Sequence, residues 1–176
     1  YDQDQPIESA LIYLKKKHES GQTKIKQIEQ SHEIKLPQET ELIRSSDEIE
    51  VKLHGLMYDD SGYAKVNRNL ALKLSECGIK VQIVPKNGKN KLTEDEIKPL
   101  LELEKNKVSK NCIQIDSVVP SLGEVPSGKY RILYTTTESY TIPNQFVQCC
   151  DMYDEIWITS PWSAEILRKY VHRPVY

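Results

Sequence analysis

The sequence predicts an α/β domain on a doubly wound, mainly parallel sheet, preceded by a polar helical segment. Three observations predict it. From Asp47 onward, short β-forming runs alternate with runs of helical periodicity, the pattern of successive βαβ units. Before that, residues 1–46 are dominated by Gln, Glu and Lys, have Tyr1 and Tyr13 as their only aromatic residues, and lack an apolar cluster able to close a core. Finally, 176 residues allow one medium domain plus an appendage and exclude two large domains.

In the N-terminal segment, Ile7, Leu11, Leu14, His18, Gly21, Ile25, Ile28 and His32 fall at alternating spacings of four and three, a heptad seam spoiled by His18 and Gly21. A glycine costs about 1 kcal/mol inside a helix. The segment is therefore expected as two helical pieces broken near Ser20-Gly21, or as one irregular helix ended by Pro37. A helical linker and an oligomerising coiled coil both fit this pattern.

In the domain at 47–176, strands are expected at 49–54, 80–84, 112–117, 131–136 and 155–159. Between the first two, Val66, Leu70 and Leu74 repeat at helical spacing over 63–77, with Gly78 as the stop. Thr93 and Glu96 form a capping box for a second helix, which Pro99 must break or restart. Further helices are expected at 144–152 and 161–171, the latter with Pro161 in its first turn after Ser160. Residues 48–54 alternate charged and apolar side chains, whereas a central parallel strand is apolar on both faces. That pattern places the first strand near an edge, or leaves Glu50 and Lys52 covered only by something like the N-terminal segment.

Composition excludes several classes. No run approaches the roughly 18 consecutive apolar residues that a membrane helix needs. With 24 basic and 26 acidic residues there is no electrostatic reason to expect nucleic acid as a partner. Cys77, Cys112, Cys149 and Cys150 form no C-x-x-C pair, which argues against a zinc cluster or a disulfide framework and suits a reducing cytoplasm. The start at Tyr1 without Met or a leader, and a last run at 173–176 that reads as another strand, suggest a piece of a longer protein.

In doubly wound sheets ligands sit beyond the carboxyl ends of the strands, so the loops at 55–62, 118–128 and 137–143 and the Ser160-Pro161 step are the informative ones. The first loop follows a strand and opens a helix, which offers backbone N–H groups to an anion or a sugar hydroxyl; Gly55 and Gly62 would allow close backbone approach. Equally, Gly55 is a turn residue and Ser61 a helix cap. Neither G-x-G-x-x-G nor a Walker loop is present, and no G-x-S-x-G elbow surrounds Ser121, Ser139 or Ser160. Cys149-Cys150 fall mid-helix, where at least one should be buried and inert. His54 suits either a base at a strand end or a structural hydrogen bond.

The run from Gly55 through Ser61-Gly62-Tyr63-Ala64-Lys65 to Leu74, Gly78 and Val81 resembles the first β-α-β unit of GT-B glycosyltransferases of the group 1 (family 4) type. Tyr134-Thr135-Thr136-Thr137-Glu138-Ser139, Ile142-Pro143 and Asp154-Glu155-Ile156-Trp157-Ile158-Thr159-Ser160 resemble a later stretch of the same family. The likeness spans 48–176, roughly three quarters of the chain.

The resemblance implies the N-terminal, acceptor-side half of a two-domain retaining enzyme, preceded by a linker and inactive without the donor-binding domain. The implied partners are a nucleotide-sugar donor, a carbohydrate or glycoconjugate acceptor and that C-terminal domain, with neither cofactor nor metal required. Onto this chain the family's Gly-rich loop maps to Gly55, Ser61, Gly62 and Tyr63, its threonine–glutamate strand end to Thr137 and Glu138 with Ser139 following, and its post-strand serine to Ser160. Where many relatives carry a histidine this chain has Thr137-Glu138-Ser139, a departure that leaves the general base unassigned; Glu138, able to accept hydrogen bonds from sugar hydroxyls, is the candidate catalytic group, with helix capping as its alternative role. A non-catalytic α/β interaction domain or a receiver-like module, with Asp116 at the third strand's end, are the alternatives. A receiver's fifth-strand lysine is replaced by Thr159-Ser160-Pro161.

Overall fold

The computed structural model describes residues 49–88, 92–119 and 126–176; the expectations for 1–46 and for Ser121 lie outside these residues. Along the chain run β1 (Glu50–Gly55), α1 (Gly62–Glu76), β2 (Lys80–Pro85), α2 (Glu94–Lys105), β3 (Ile113–Ser117), β4 (Tyr130–Thr135), α3 (Asn144–Cys150), β5 (Glu155–Ile158) and α4 (Pro161–Leu167). All five strands pair in parallel, in the order β2-β1-β3-β4-β5. The winding direction reverses between β1 and β3, as in Rossmann-like doubly wound sheets. Beyond β5 the sheet continues: Val175 bridges Ile156 in parallel and Tyr176 N donates to Ile156 O at 2.9 Å, so the run at 173–176 is strand-like as expected.

The two faces are covered from opposite directions. Val51, Leu53 and Gly55 turn toward α1, whose Leu70, Ala71 and Leu74 are buried. Leu133 and Ile156 turn the other way, into a cluster with Cys150, Tyr153, Ala164, Ile166 and Leu167 from α3, α4 and the turn before β5. Burying each such aliphatic side chain is worth about 1.5–3 kcal/mol, which is why the helices lie where their apolar stripes face the sheet. Among the described residues no helix is long and apolar enough to cross a membrane.

Local signals behave as their chemistry requires. Ser61, Thr93 and Ser160 cap α1, α2 and α4, Thr93 in a complete capping box with Glu96. Gly78 takes φ +79° just beyond α1, a left-handed conformation that favours glycine. Two expectations are corrected. Helix α2 runs unbroken through Pro99, because the cap holds its start and Leu100 and Leu103 anchor its second half in the core, offsetting the lost backbone bond. The alternating strand β1 lies inside the sheet between β2 and β3, not at an edge.

Strand β1 tolerates its charges because they are bonded. Glu50 Oε1 takes Lys80 Nζ at 2.8 Å on the neighbouring strand, and Oε2 accepts from Ser109 N at 2.8 Å. The lysine, then Ser109, holds the Glu50 pKa down to about 2 from its ordinary 4.5. A depressed carboxylate pKa contributes stability above the unfolded value and loses it as pH falls through the folded one. Glu50→Gln should therefore lower the urea midpoint above pH 4.5, with the difference from wild type closing as pH falls toward about 2. An unchanged difference across that window would show that the ion pair contributes nothing.

Candidate functional site at the carboxyl edge of the sheet

The loop after β1 is tied from behind by side chains. Asn87, beyond β2, accepts from Met57 N at 2.8 Å and Tyr58 N at 3.2 Å, and donates to Asp59 Oδ2 at 2.9 Å. From α1, Asn67 donates to Leu56 O at 3.0 Å, and Arg68 donates to the carbonyls of Met57 and Asp59, both at 2.8 Å. Tyr58 is buried with its hydroxyl donating to Glu104 at 2.8 Å; burial first, then Glu104, raises its pKa. The loop is thus preorganised, its shape fixed before any ligand arrives.

Its own donors are partly spent. Ser61 N donates to Asp59 Oδ1 at 2.8 Å, and Ser61 Oγ accepts from Ala64 N at 3.2 Å, so Ser61 fills the capping role. The backbone N–H groups of Gly62 and Tyr63 have no partner among the described residues. The two glycines differ. A Cβ on Gly62 would meet nothing within 4 Å, whereas one on Gly55 would sit 2.6 Å from Asn67 Nδ2 and 2.9 Å from Ser117 O. Gly55 therefore serves the close packing of α1 and β3 on β1; the open space is at Gly62. Burial first, then the charge of Tyr63, raises the pKa of Tyr134 near the end of β4.

At the ends of β4 and β5, hydroxyl groups form a chain. Ser160 Oγ accepts from Ser163 N at 3.1 Å and donates to Ser163 Oγ at 2.9 Å, and Ser163 Oγ donates to Thr137 O at 2.8 Å. Thr159 and Thr136 hydroxyls join alongside at 2.9 Å. Thr137 and Ser160 are thereby held together, and Ser139 N donates to Thr137 Oγ1 at 3.3 Å. Glu138 stands exposed on this braced turn; α3 starts from Pro143 without a side-chain cap, so Glu138 does not cap it.

A feature that sequence reasoning missed lies just beneath. His54 and Asp116 are the penultimate residues of β1 and β3, paired in register, with Nδ1 and Oδ1 3.2 Å apart and side chains only 13% and 8% exposed. Tyr153 OH donates to Asp116 Oδ2 at 2.8 Å, and Gln114 Nε2 donates to Oδ1 and Oδ2 at 2.9 and 3.1 Å. Gln114 Oε1 in turn accepts from Ser127 N and Gly128 N at 2.9 and 3.1 Å, which fixes the amide's orientation. With both carboxylate oxygens accepting, His54 Nδ1 carries the hydrogen that faces Asp116. The Nε2 atom of His54 is buried, so this network braces the switch point instead of presenting a base to a ligand. Burial, then the charge and bond of Asp116, raises the Tyr153 pKa.

The Asp154–Trp157 run is likewise structural. Asp154 takes a two-pronged bond from Arg131 Nε and Nη2 at 2.9 and 3.0 Å, and the arginine holds its pKa below the usual carboxylate value. Glu155, fully buried, accepts from Tyr130 OH at 2.6 Å and Trp157 Nε1 at 2.8 Å. Cys149 and Cys150 are buried in α3, and burial pushes the Cys150 thiol up to about 12, as an inert core residue requires. Among the described residues no group of three or more His, Cys, Asp or Glu side chains is placed to hold a metal ion.

No protein-family model, curated protein or solved structure matches the chain.

Proposed function

We propose that residues 47–176 are the N-terminal, acceptor-side domain of a GT-B retaining glycosyltransferase, which transfers a sugar from a nucleotide-sugar donor to an acceptor hydroxyl and needs a second, donor-binding domain to turn over. One observation carries the reading: the segments that resemble the family's site, 55–63, 137–139 and 160, all leave the carboxyl ends of strands in one parallel sheet. That is the edge where doubly wound sheets bind ligands.

Glycosyl transfer needs an acceptor hydroxyl held in line and donors aimed at the departing diphosphate. The N–H groups of Gly62 and Tyr63 supply donors beside open space, and exposed Glu138 supplies an acceptor for sugar hydroxyls. Thr137, Ser139 and Ser160 act by bracing the turn that carries Glu138.

The experiment is Gly62→Trp in the complete protein. With no atom within 4 Å of a Cβ there, the fold should keep its melting temperature while the indole fills the open space. Transfer from a nucleotide sugar should fall at least about tenfold, the loss of roughly 1.4 kcal/mol of transition-state binding. Unchanged turnover would favour a non-catalytic α/β interaction domain.

A further inference from the structure

Two large aromatic side chains stand in solvent at this end of the sheet, Tyr140 on the turn that carries Glu138 and Trp162 in the first turn of α4. Tyr140 is 75% exposed and Trp162 is 40% exposed, with ring centroids 5.1 Å apart and planes at 88°. Leaving this much aromatic surface in water is unfavourable unless something covers it. Its mounting is rigid. Trp162 lies in the first turn of α4 beside the Ser160–Ser163 cap, Tyr140 O accepts from Tyr170 OH at 3.3 Å, and Ser163 Oγ clamps Thr137 O at 2.8 Å.

The surroundings are polar. Glu138, Ser139 and Thr141 are exposed beside Tyr140, and the Ser139 and Thr141 hydroxyls lie 3.4 Å apart. A protein-docking core is depleted of charge and spreads over a wide apolar patch, whereas here Tyr140 and Trp162, with the 38% exposed Tyr170 bonded to Tyr140 O, sit among hydroxyls and a carboxylate. A pyranose has the matching chemistry: an apolar C–H face to lie against a ring, and a rim of hydroxyls that donate to a carboxylate and exchange bonds with serine and threonine.

We propose that Tyr140 and Trp162, with Glu138 beside them, form a subsite for a sugar ring of the acceptor. The inference rests on the glycosyltransferase reading for the word acceptor, though not for the word sugar. Because the turn is already clamped, little ordering remains to oppose binding.

The test uses the complete protein and two probes: a printed array of mono- to tetrasaccharides, and transfer from a panel of UDP- and GDP-sugars onto any saccharide retained. Trp162→Ala and Tyr140→Ala should each weaken saccharide binding, and raise acceptor KM, about tenfold. The donor KM and the melting temperature should stay unchanged, and Trp162→Phe should recover most of the binding. Saccharide binding that depends on Trp162 without any transfer keeps the subsite and removes the enzyme. Transfer that is indifferent to both alanine variants keeps the enzyme and overturns the subsite. A lowered melting temperature in both alanine variants assigns the rings to packing against the rest of the chain and overturns it too, as does an array on which nothing is retained.

Discussion

Asp116→Ala is expected to destabilise the domain by about 3–5 kcal/mol, the cost of removing one member of a buried charge-bearing network. The carboxylate is the common acceptor for Tyr153 OH, Gln114 Nε2 and His54 Nδ1, drawn from β1, β3 and the turn before β5. Its removal takes the acceptor from the Tyr153 hydroxyl and the Gln114 amide at once, and the loop at 127–128 loses its anchor as Gln114 is freed to turn. Asp116→Asn should cost less, because one side-chain oxygen survives to accept. Chemical denaturation of the three proteins measures this; an alanine variant within about 1 kcal/mol of wild type would mean that water replaces the carboxylate, contrary to the burial seen here.

Gly55→Ala is the second large effect, with an expected loss of about 1–3 kcal/mol from overpacking. The added methyl meets the Asn67 amide at 2.6 Å and the Ser117 carbonyl at 2.9 Å, and the latter, being backbone of β3, has little room to yield. Gly62→Ala, by contrast, should leave stability unchanged or raise it by about 0.4–1 kcal/mol, since it only restricts the unfolded chain. Thermal melts of the pair separate the roles of the two glycines. Equal destabilisation by both substitutions would show that the space at Gly62 is not open.

How legible this was varied with the range of the interaction. Caps at Ser61, Thr93 and Ser160 and the stop at Gly78 depend on a few neighbouring residues, and all four are where local chemistry puts them. The five strands were readable from β-forming runs, with ends differing by a residue or so. Pro99 misled because its local cost is outweighed by the burial of Leu100 and Leu103, which is tertiary. The charge pattern of β1 suggested an edge because Glu50 finds Lys80 and Ser109 only once β2 and the stretch before β3 are in place.

The site was legible as an edge and not as a geometry. Knowing that 55–62, 137–139 and 160 follow strands places them at one end of a sheet, but only strand order makes His54 and Asp116 neighbours across 62 residues. The same order explains the Asp154-Glu155-Ile156-Trp157 run: its acid groups meet Arg131 and Tyr130 of β4, so the motif reports strand pairing rather than chemistry. Gly55 looked like a ligand-facing glycine until α1 was seen packed against it.

The most direct measurement is mass spectrometry of products after the complete protein is incubated with mixed UDP- and GDP-sugars and a saccharide pool. The account predicts an acceptor gaining one hexose-type mass with release of nucleoside diphosphate, and loss of that product in Gly62→Trp. Intact sugar nucleotides in the presence of every acceptor would contradict it, and would leave the carboxyl edge of this sheet as a binding surface.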